Sequence, residues 1–183
     1  MIVFAREDQL DLICRFYQDV TDDLEKRVNY PRWIWGAHPD RSGIEQAIEN
    51  SELILYRPDS FEQLLKSKGI ENWPYPFAGA AILNSSWIDG GQISWQSTHF
   101  MALHLFAIHP ALSKASLADL FLEELLNHAK EQNCDSVRLD LIEGNWPADH
   151  LYLRHGFEDR GKGVFQPEGE PVLPFEYREF MIG

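Results

Sequence analysis

The stretch from Leu103 to Gln132, LHLFAIHPALSKASLADLFLEELLNHAKEQ, constrains the fold of this chain more than any other. An apolar run passes through a short polar turn into a helix pattern. Ala118, Phe121, Leu122, Leu125, Leu126 and Ala129 recur at the 3.6-residue spacing of one buried face, and Asp119, Glu123, Asn127 and Lys130 fall opposite. Ser116 followed three residues later by Asp119 reads as a capping box that sets the helix start. A strand, a tight turn and a helix start place backbone N–H groups and the positive end of the helix dipole at one point, which suits an anion such as a phosphate. Lys114 in the turn adds a cation. Strand–turn–helix units are common and most bind nothing, so the rest of the chain decides.

A chain of 183 residues, 44% of them hydrophobic, builds a sizeable core and fits one domain, 1–183. Its net charge of −13 counts against nucleic acid and against anionic membranes as partners. The start, MIVFARED, has too short an apolar run for a signal peptide, and no run approaches the ~20 residues of a membrane span. Cys14 and Cys134 stand far apart, as reduced, buried thiols of a cytoplasmic protein would. The His, Cys and carboxylate positions form no metal-ligand pattern.

Periodicity predicts strands at Met1 to Ala5, Glu52 to Tyr56, Phe77 to Leu83, Met101 to Ile108, Ser136 to Ile142, Phe157 to Arg160 and Phe175 to Ile182. It predicts helices at Glu7 to Glu25, Ser42 to Asn50 and Pro147 to His155 besides the long one, and a short extra helix within Asp59 to Ile70. Met101 to Ile108 is nearly all apolar, as a strand buried on both faces would be. Gly79 and Ala80 permit close backbone approach. Asp89-Gly90-Gly91 is a hairpin-turn signal, and Gly161 to Pro174 reads as a Gly/Pro-rich loop. The order specifies a mixed α/β sheet with helices on its faces.

Three motifs then stand out: AIHP at Ala107 to Pro110, the loop SKASLA at Ser113 to Ala118, and NWPADHLYLRHGF at Asn145 to Phe157. Together with the element order they resemble the GNAT acetyltransferase superfamily. The resemblance covers nearly the whole chain, with 59–76 and 85–98 as insertions or lengthened loops. It implies a central, mixed, mostly antiparallel twisted sheet of about seven strands flanked by helices on both faces. It also implies acetyl-CoA as co-substrate and no metal. Backbone amides near Phe106, Ala107 and Ile108 would polarise the thioester carbonyl. The loop Ser113, Lys114, Ala115, Ser116, Leu117 and Ala118 would receive the pyrophosphate, and Asn145 the pantetheine arm. Tyr152 would be the acid at the sulfur. The loop departs from the family pattern, with Ser113 where an Arg or Gln is expected and Lys114, Ser116 and Ala118 where glycines are.

Alternatives stay open for several of these residues. Tyr152 is also an amphipathic residue suited to a sheet edge, and Asn145 also suits a helix cap before Pro147. An amine of pKa ~10.4 is neutral in only about one molecule in two thousand at pH 7, so a base is useful. His104, two residues from Phe106 and four from Ile108 and so sharing their face, is one candidate; Glu143 at the end of the following strand is another. Their plainer readings are a core histidine and an exposed acid. His109 is expected to shape the turn, and His99, His150 and His155 to lie at the surface. Trp33 and Trp35 alternate across Ile34 and would wall an acceptor pocket, or else cap the sheet or meet a second copy.

The expectation is an N-acetyltransferase acting on a primary amine of a small molecule or peptide by direct transfer, as a monomer or homodimer. The alternative is a catalytically degenerate module of this fold that binds acyl-CoA or a protein partner.

Overall fold

The apolar runs read from the sequence fold into a seven-stranded sheet in the order β1-β2-β3-β4-β5-β7-β6. The computed structural model describes residues 1–86, 93–113, 116–165 and 172–183. The strands are β1 (Ile2–Phe4), β2 (Leu53–Tyr56), β3 (Gly79–Asn84), β4 (Phe100–Ile108), β5 (Ser136–Ile142), β6 (Glu158–Phe165) and β7 (Leu173–Met181). The helices are α1 (Leu10–Glu25), α2 (Arg41–Glu49), α3 (Phe61–Ser67), α4 (Leu117–Glu131) and α5 (Trp146–Arg154). Every strand pair is antiparallel except β4 with β5.

Alternation along β2 explains the two cores. Leu53 and Leu55 face α1 and α2, packing with Ile13, Phe16, Tyr17, Ile44 and Ile48. Ile54 and Tyr56 face α3 and α4, packing with Phe61, Phe121, Leu125 and the odd-numbered residues of β5, Val137, Leu139 and Leu141. Tyr56, Phe121 and Phe106 stack in series, with ring centroids 4.9 and 5.1 Å apart. Gly79 is needed where β3 meets β4: a Cβ there would come within 2.7 Å of the Ile108 side chain and 2.8 Å of the Ala107 carbonyl.

Strand β4 is less enclosed than its composition predicts. Only Ala102, Leu103 and Ala107 are fully buried, because β5 accompanies β4 for just three rungs, from Phe100–Ser136 to Ala102–Arg138. Beyond that rung the two strands part. Within β4 the backbone is also interrupted: Leu105 has φ of 47°, and the register against β3 shifts between Ala80 and Ile82. A bulge there adds one residue and reverses the faces that follow. The Tyr17 hydroxyl donates to the Leu105 carbonyl at 2.8 Å, so α1 clamps the bulge.

Three further expectations change. The described residues of the predicted loop from Gly161 to Pro174 are mostly strand, since the β6–β7 ladder runs on to Phe165–Leu173, absorbing Gly161 at a register shift with φ of 105°. Ser116 does not cap α4; it adopts a left-handed φ of 51° and its hydroxyl accepts nothing from the helix. Its expected partner Asp119 instead binds Arg154 and His155, joining α4 to α5, so His155 is a structural link rather than a surface residue. The Asp89-Gly90-Gly91 turn lies outside the described residues.

The last shared rung of β4 and β5 is secured by a buried ionic cluster. Glu179 of β7 has no exposed surface and accepts from the Gln96 and Ser97 amides, the Ser136 hydroxyl, Arg138 and Arg160. The Arg138 guanidinium also donates to the Ser97 carbonyl and lies between the Trp95 and Phe100 rings, 4.5 and 3.8 Å from their centroids. Burial pushes the Glu179 carboxyl up, but these donors and charges outweigh it and hold it below the ordinary value. Its contribution is therefore present at neutral pH and is lost as the pH falls below the usual glutamate range of ~4.3. Glu179→Ala, which strands the buried Arg138 and takes one of its two carboxylates from Arg160, should cost about 3–5 kcal/mol in urea unfolding at neutral pH and flatten the acid limb of the stability profile. A loss under about 1 kcal/mol would show the cluster to be dispensable.

Candidate active site

Among the described residues, several polar groups without a hydrogen-bond partner converge at the gap left by the parting of β4 and β5. The His109 amide donates to the Ala78 carbonyl across the β3 side. By alternation the Ala107 amide points the same way, and the backbone groups of Phe106 and Ile108 point toward the side from which β5 has departed. Ala107 is buried toward α1, while Phe106 and Ile108 pack partly against α4. The expected backbone donors therefore lie along an uncovered strand edge.

Helix α5 forms the far wall. Asn145 and Tyr152 stand seven residues apart, two turns, and so share a face. Tyr152 is 7% exposed and Asn145 8%. The Tyr152 ring lies edge-on to Phe106 at 6.4 Å and against Phe157 at 5.4 Å. Among the described residues its hydroxyl has no hydrogen-bond partner, and neither has the Asn145 carboxamide, which does not cap α5. Burial raises the Tyr152 phenol far above its ordinary value, and the nearby Asp140 charge adds to the effect. Leaving a buried polar group unsatisfied costs about 1–3 kcal/mol, and two on one wall call for a ligand.

At the end of β4 the chain makes a single turn of 3-10 helix, Pro110–Leu112, which the His109 ring starts by accepting from the Ala111 amide. His109 thus shapes the turn as expected; it also faces Asp19, whose carboxylate accepts from Tyr75. Ser113 is exposed, and its carbonyl accepts from Lys68 at 3.0 Å. Lys114 and Ala115 lie outside the described residues. Because Ser116 leaves α4 uncapped, the amides of Leu117, Ala118 and Asp119 in its first turn remain for an anion. Lys68, at the end of α3 in the lengthened 59–76 segment, brings a cation to this loop. The sequence gives no spacing rule that would place it there.

The two candidate bases end up apart. His104 does not share the face of Phe106 and Ile108, because the bulge at Leu105 intervenes; it pairs with Ile82 on the α1 side and hydrogen-bonds the Ser86 backbone. Burial lowers its pKa, so it is neutral at pH 7. Glu143 is exposed and its carboxylate is held by Lys162, which also binds Glu176. Trp33 and Trp35 are half-buried against the α1 core. Trp33 lies edge-on to Tyr17 at 6.3 Å and to His38 at 6.4 Å, with its backbone fixed by both side-chain groups of Asn29.

Two residues that sequence reasoning passed over also reach the gap. Asp140 on β5 and His38 in the α1–α2 connection interact electrostatically, and His38 also feels His104. Both are open to water yet crowded by protein, as in a concave cleft. Among the described residues no group of His, Cys, Asp and Glu is placed to hold a metal ion.

The sequence signature of the acetyltransferase (GNAT) family matches residues 29–157. No curated protein sequence matches the chain. Solved structures share its fold. A GNAT-family acetyltransferase from Listeria monocytogenes is 20% identical, with a TM-score of 0.69 over 100% of this chain and 94% of its own. One from Streptococcus agalactiae is 18% identical, with a TM-score of 0.71 over 100% and 95%. The yncA protein of Salmonella typhimurium, solved with its cofactor acetyl-CoA, is 14% identical, with a TM-score of 0.64 over 99% and 92%. With a signature over most of its length and a sheet that opens between β4 and β5, this chain belongs to the GNAT acetyltransferase family.

Proposed function

We propose that the protein is an acetyl-CoA-dependent N-acetyltransferase that acetylates a primary amine of a small molecule or peptide in a single ternary complex. The observation that carries this reading is the pair of buried side chains, Asn145 and Tyr152, that have no partner among the described residues, beside the uncovered edge of β4. The residues present fit acetyl-CoA, which supplies an activated acetyl thioester. The Phe106 and Ile108 amides donate to the thioester carbonyl, where their fixed orientation favours the charge that develops during attack. Asn145 gives its carboxamide to the pantetheine amides. The amides at the start of α4 and the Lys68 ammonium receive the pyrophosphate.

Tyr152 donates a hydrogen bond to the sulfur. Its raised pKa keeps the phenol neutral throughout the working range, so it acts as a donor whose proton moves only as the C–S bond breaks. The cysteines support direct transfer: both thiols are buried, and burial raises both pKa values. Two unpaired thiols and a metabolic co-substrate fit a cytoplasmic setting, and no described helix is long and apolar enough to cross a membrane.

A second reading rests on Ser113, which stands where the family carries an Arg or Gln: a module that binds acyl-CoA or a protein partner without turnover. Calorimetric titration with acetyl-CoA, followed by an amine panel, separates the two. Saturable binding, with about 2.7 kcal/mol of stabilisation at ~100 times the dissociation constant, and acetylation of a panel member are expected. Binding without acetylation of any amine would favour the second reading, and no binding at millimolar ligand would overturn both.

Two variants sharpen the test. Tyr152→Phe should lower turnover by about 10²-fold with little change in acetyl-CoA affinity. It should cost no stability in the free protein, because its hydroxyl has no partner to lose. Wild-type turnover in steady-state kinetics would remove Tyr152 from the chemistry. Lys68→Ala should weaken acetyl-CoA binding roughly three- to fivefold at low salt, with the difference shrinking as salt rises. Equal affinities across the salt series would detach Lys68 from the pyrophosphate.

A further inference from the structure

The acceptor side of the gap has its own chemistry. Beyond the Ala102–Arg138 rung, continuing the β4–β5 register sets His104 opposite Asp140, just where the strands part. Both lie on the sheet face that carries α1 and α2: His104 pairs with Ile82 of that core, and Asp140 alternates with Val137, Leu139 and Leu141 of the other. The turn between α1 and α2 brings His38 to the same opening. It is closed by two backbone hydrogen bonds between Ile34 and His38, at 2.9 and 3.0 Å, with the Trp33 ring beside the imidazole.

Among the described residues no cation comes within salt-bridge distance of the Asp140 carboxylate. Arg138, two residues earlier on the same face, is engaged by Glu179 and Ser97. Among the described residues the other groups around Asp140 are Tyr177, its cross-strand partner on β7, Tyr152 of α5, and His38, which in turn feels His104. None carries a fixed positive charge. The negative pole of the gap is thus uncompensated, and crowding by protein raises the Asp140 pKa, which makes it a better proton acceptor.

We infer that Asp140, facing His38 across the open end of the β4–β5 ladder, binds the ammonium group of the acceptor and takes its proton, and that the acceptor is a cationic amine on an aromatic or apolar stem that lies along Trp33. This rests on the acetyl-transfer reading and names its acceptor. The step balances without a further reagent. The ammonium gives one proton to the Asp140 carboxylate, and the freed nitrogen lone pair forms the C–N bond as the C–S bond breaks. The nitrogen's second proton goes to the sulfur by way of Tyr152, leaving an amide and a free thiol. Asp140 then returns its proton to water past His38. Trp33 and the exposed Ile34 supply an apolar wall for the stem.

The test uses the whole chain saturated with CoA, whose binding is first measured by calorimetry. The imidazole signals of His38 and His104 are then followed by NMR during titration with tyramine and with tyrosol, its neutral alcohol analogue. Tyramine should shift His38 saturably, and tyrosol should bind roughly tenfold more weakly or worse. Asp140→Asn should abolish the preference for tyramine while leaving the CoA dissociation constant within about twofold. It should also lower the His38 pKa, because the carboxylate that favours the imidazolium is gone. Equal binding of tyramine and tyrosol, an unchanged preference in Asp140→Asn, or no response to tyramine in CoA-saturated protein would overturn the assignment. Failure to bind CoA would sink the acetyl-transfer reading and this one with it.

Discussion

Everything that makes this protein more than a covered sheet depends on β4 leaving β5 after three rungs. Two opposing constraints set that point. Below it, Glu179 and Arg138 form a buried pair that is favourable only while its surrounding donors stay in place, and those donors come from β5, β6 and the 93–97 segment. Above it, the bulge at Leu105, held by Tyr17, turns the strand so that it cannot resume pairing. The sheet is therefore locked at one end of the junction and held open at the other.

Polar economy distinguishes the two ends. Glu179, the most deeply buried acid, is fully provided with donors. On the α5 wall, Tyr152 and Asn145 are also buried and are provided with nothing among the described residues. A folded chain tolerates such groups where a ligand completes them, and their cost in the free protein becomes affinity in the complex. The same contrast holds for charge, where Arg138 is paired with Glu179 and Asp140 has no described cation within salt-bridge distance.

Much of the architecture was legible because it follows from periodicity. The α4 stripe from Ala118 to Ala129, the alternation of Val137, Leu139 and Leu141, and Gly156 closing α5 with φ of 87° each report a local rule. The site was legible only in part. Asn145 and Tyr152 sit on a short helix whose spacing is visible, and the resemblance singled them out. His104 was placed on the wrong face because nothing in LHLFAI marks Leu105 as the residue that takes a positive φ. Asp140 read as the polar half of an alternating strand, and only the parting of β4 turns that half into the wall of a cleft. Lys68 and His38 belong to connections whose course tertiary packing decides. Ser116 shows the converse error: a capping-box pattern was present, yet Asp119 found stronger partners in Arg154 and His155.

The most direct test of the account is an NMR titration of 15N-labelled protein with a non-hydrolysable acetyl-CoA analogue. The account predicts that the Phe106 and Ile108 amides and the Asn145 carboxamide show the largest shifts, with α4's first turn following and the Glu179 cluster unmoved. Saturable binding that leaves Phe106, Ile108 and Asn145 unchanged while other residues shift would contradict it.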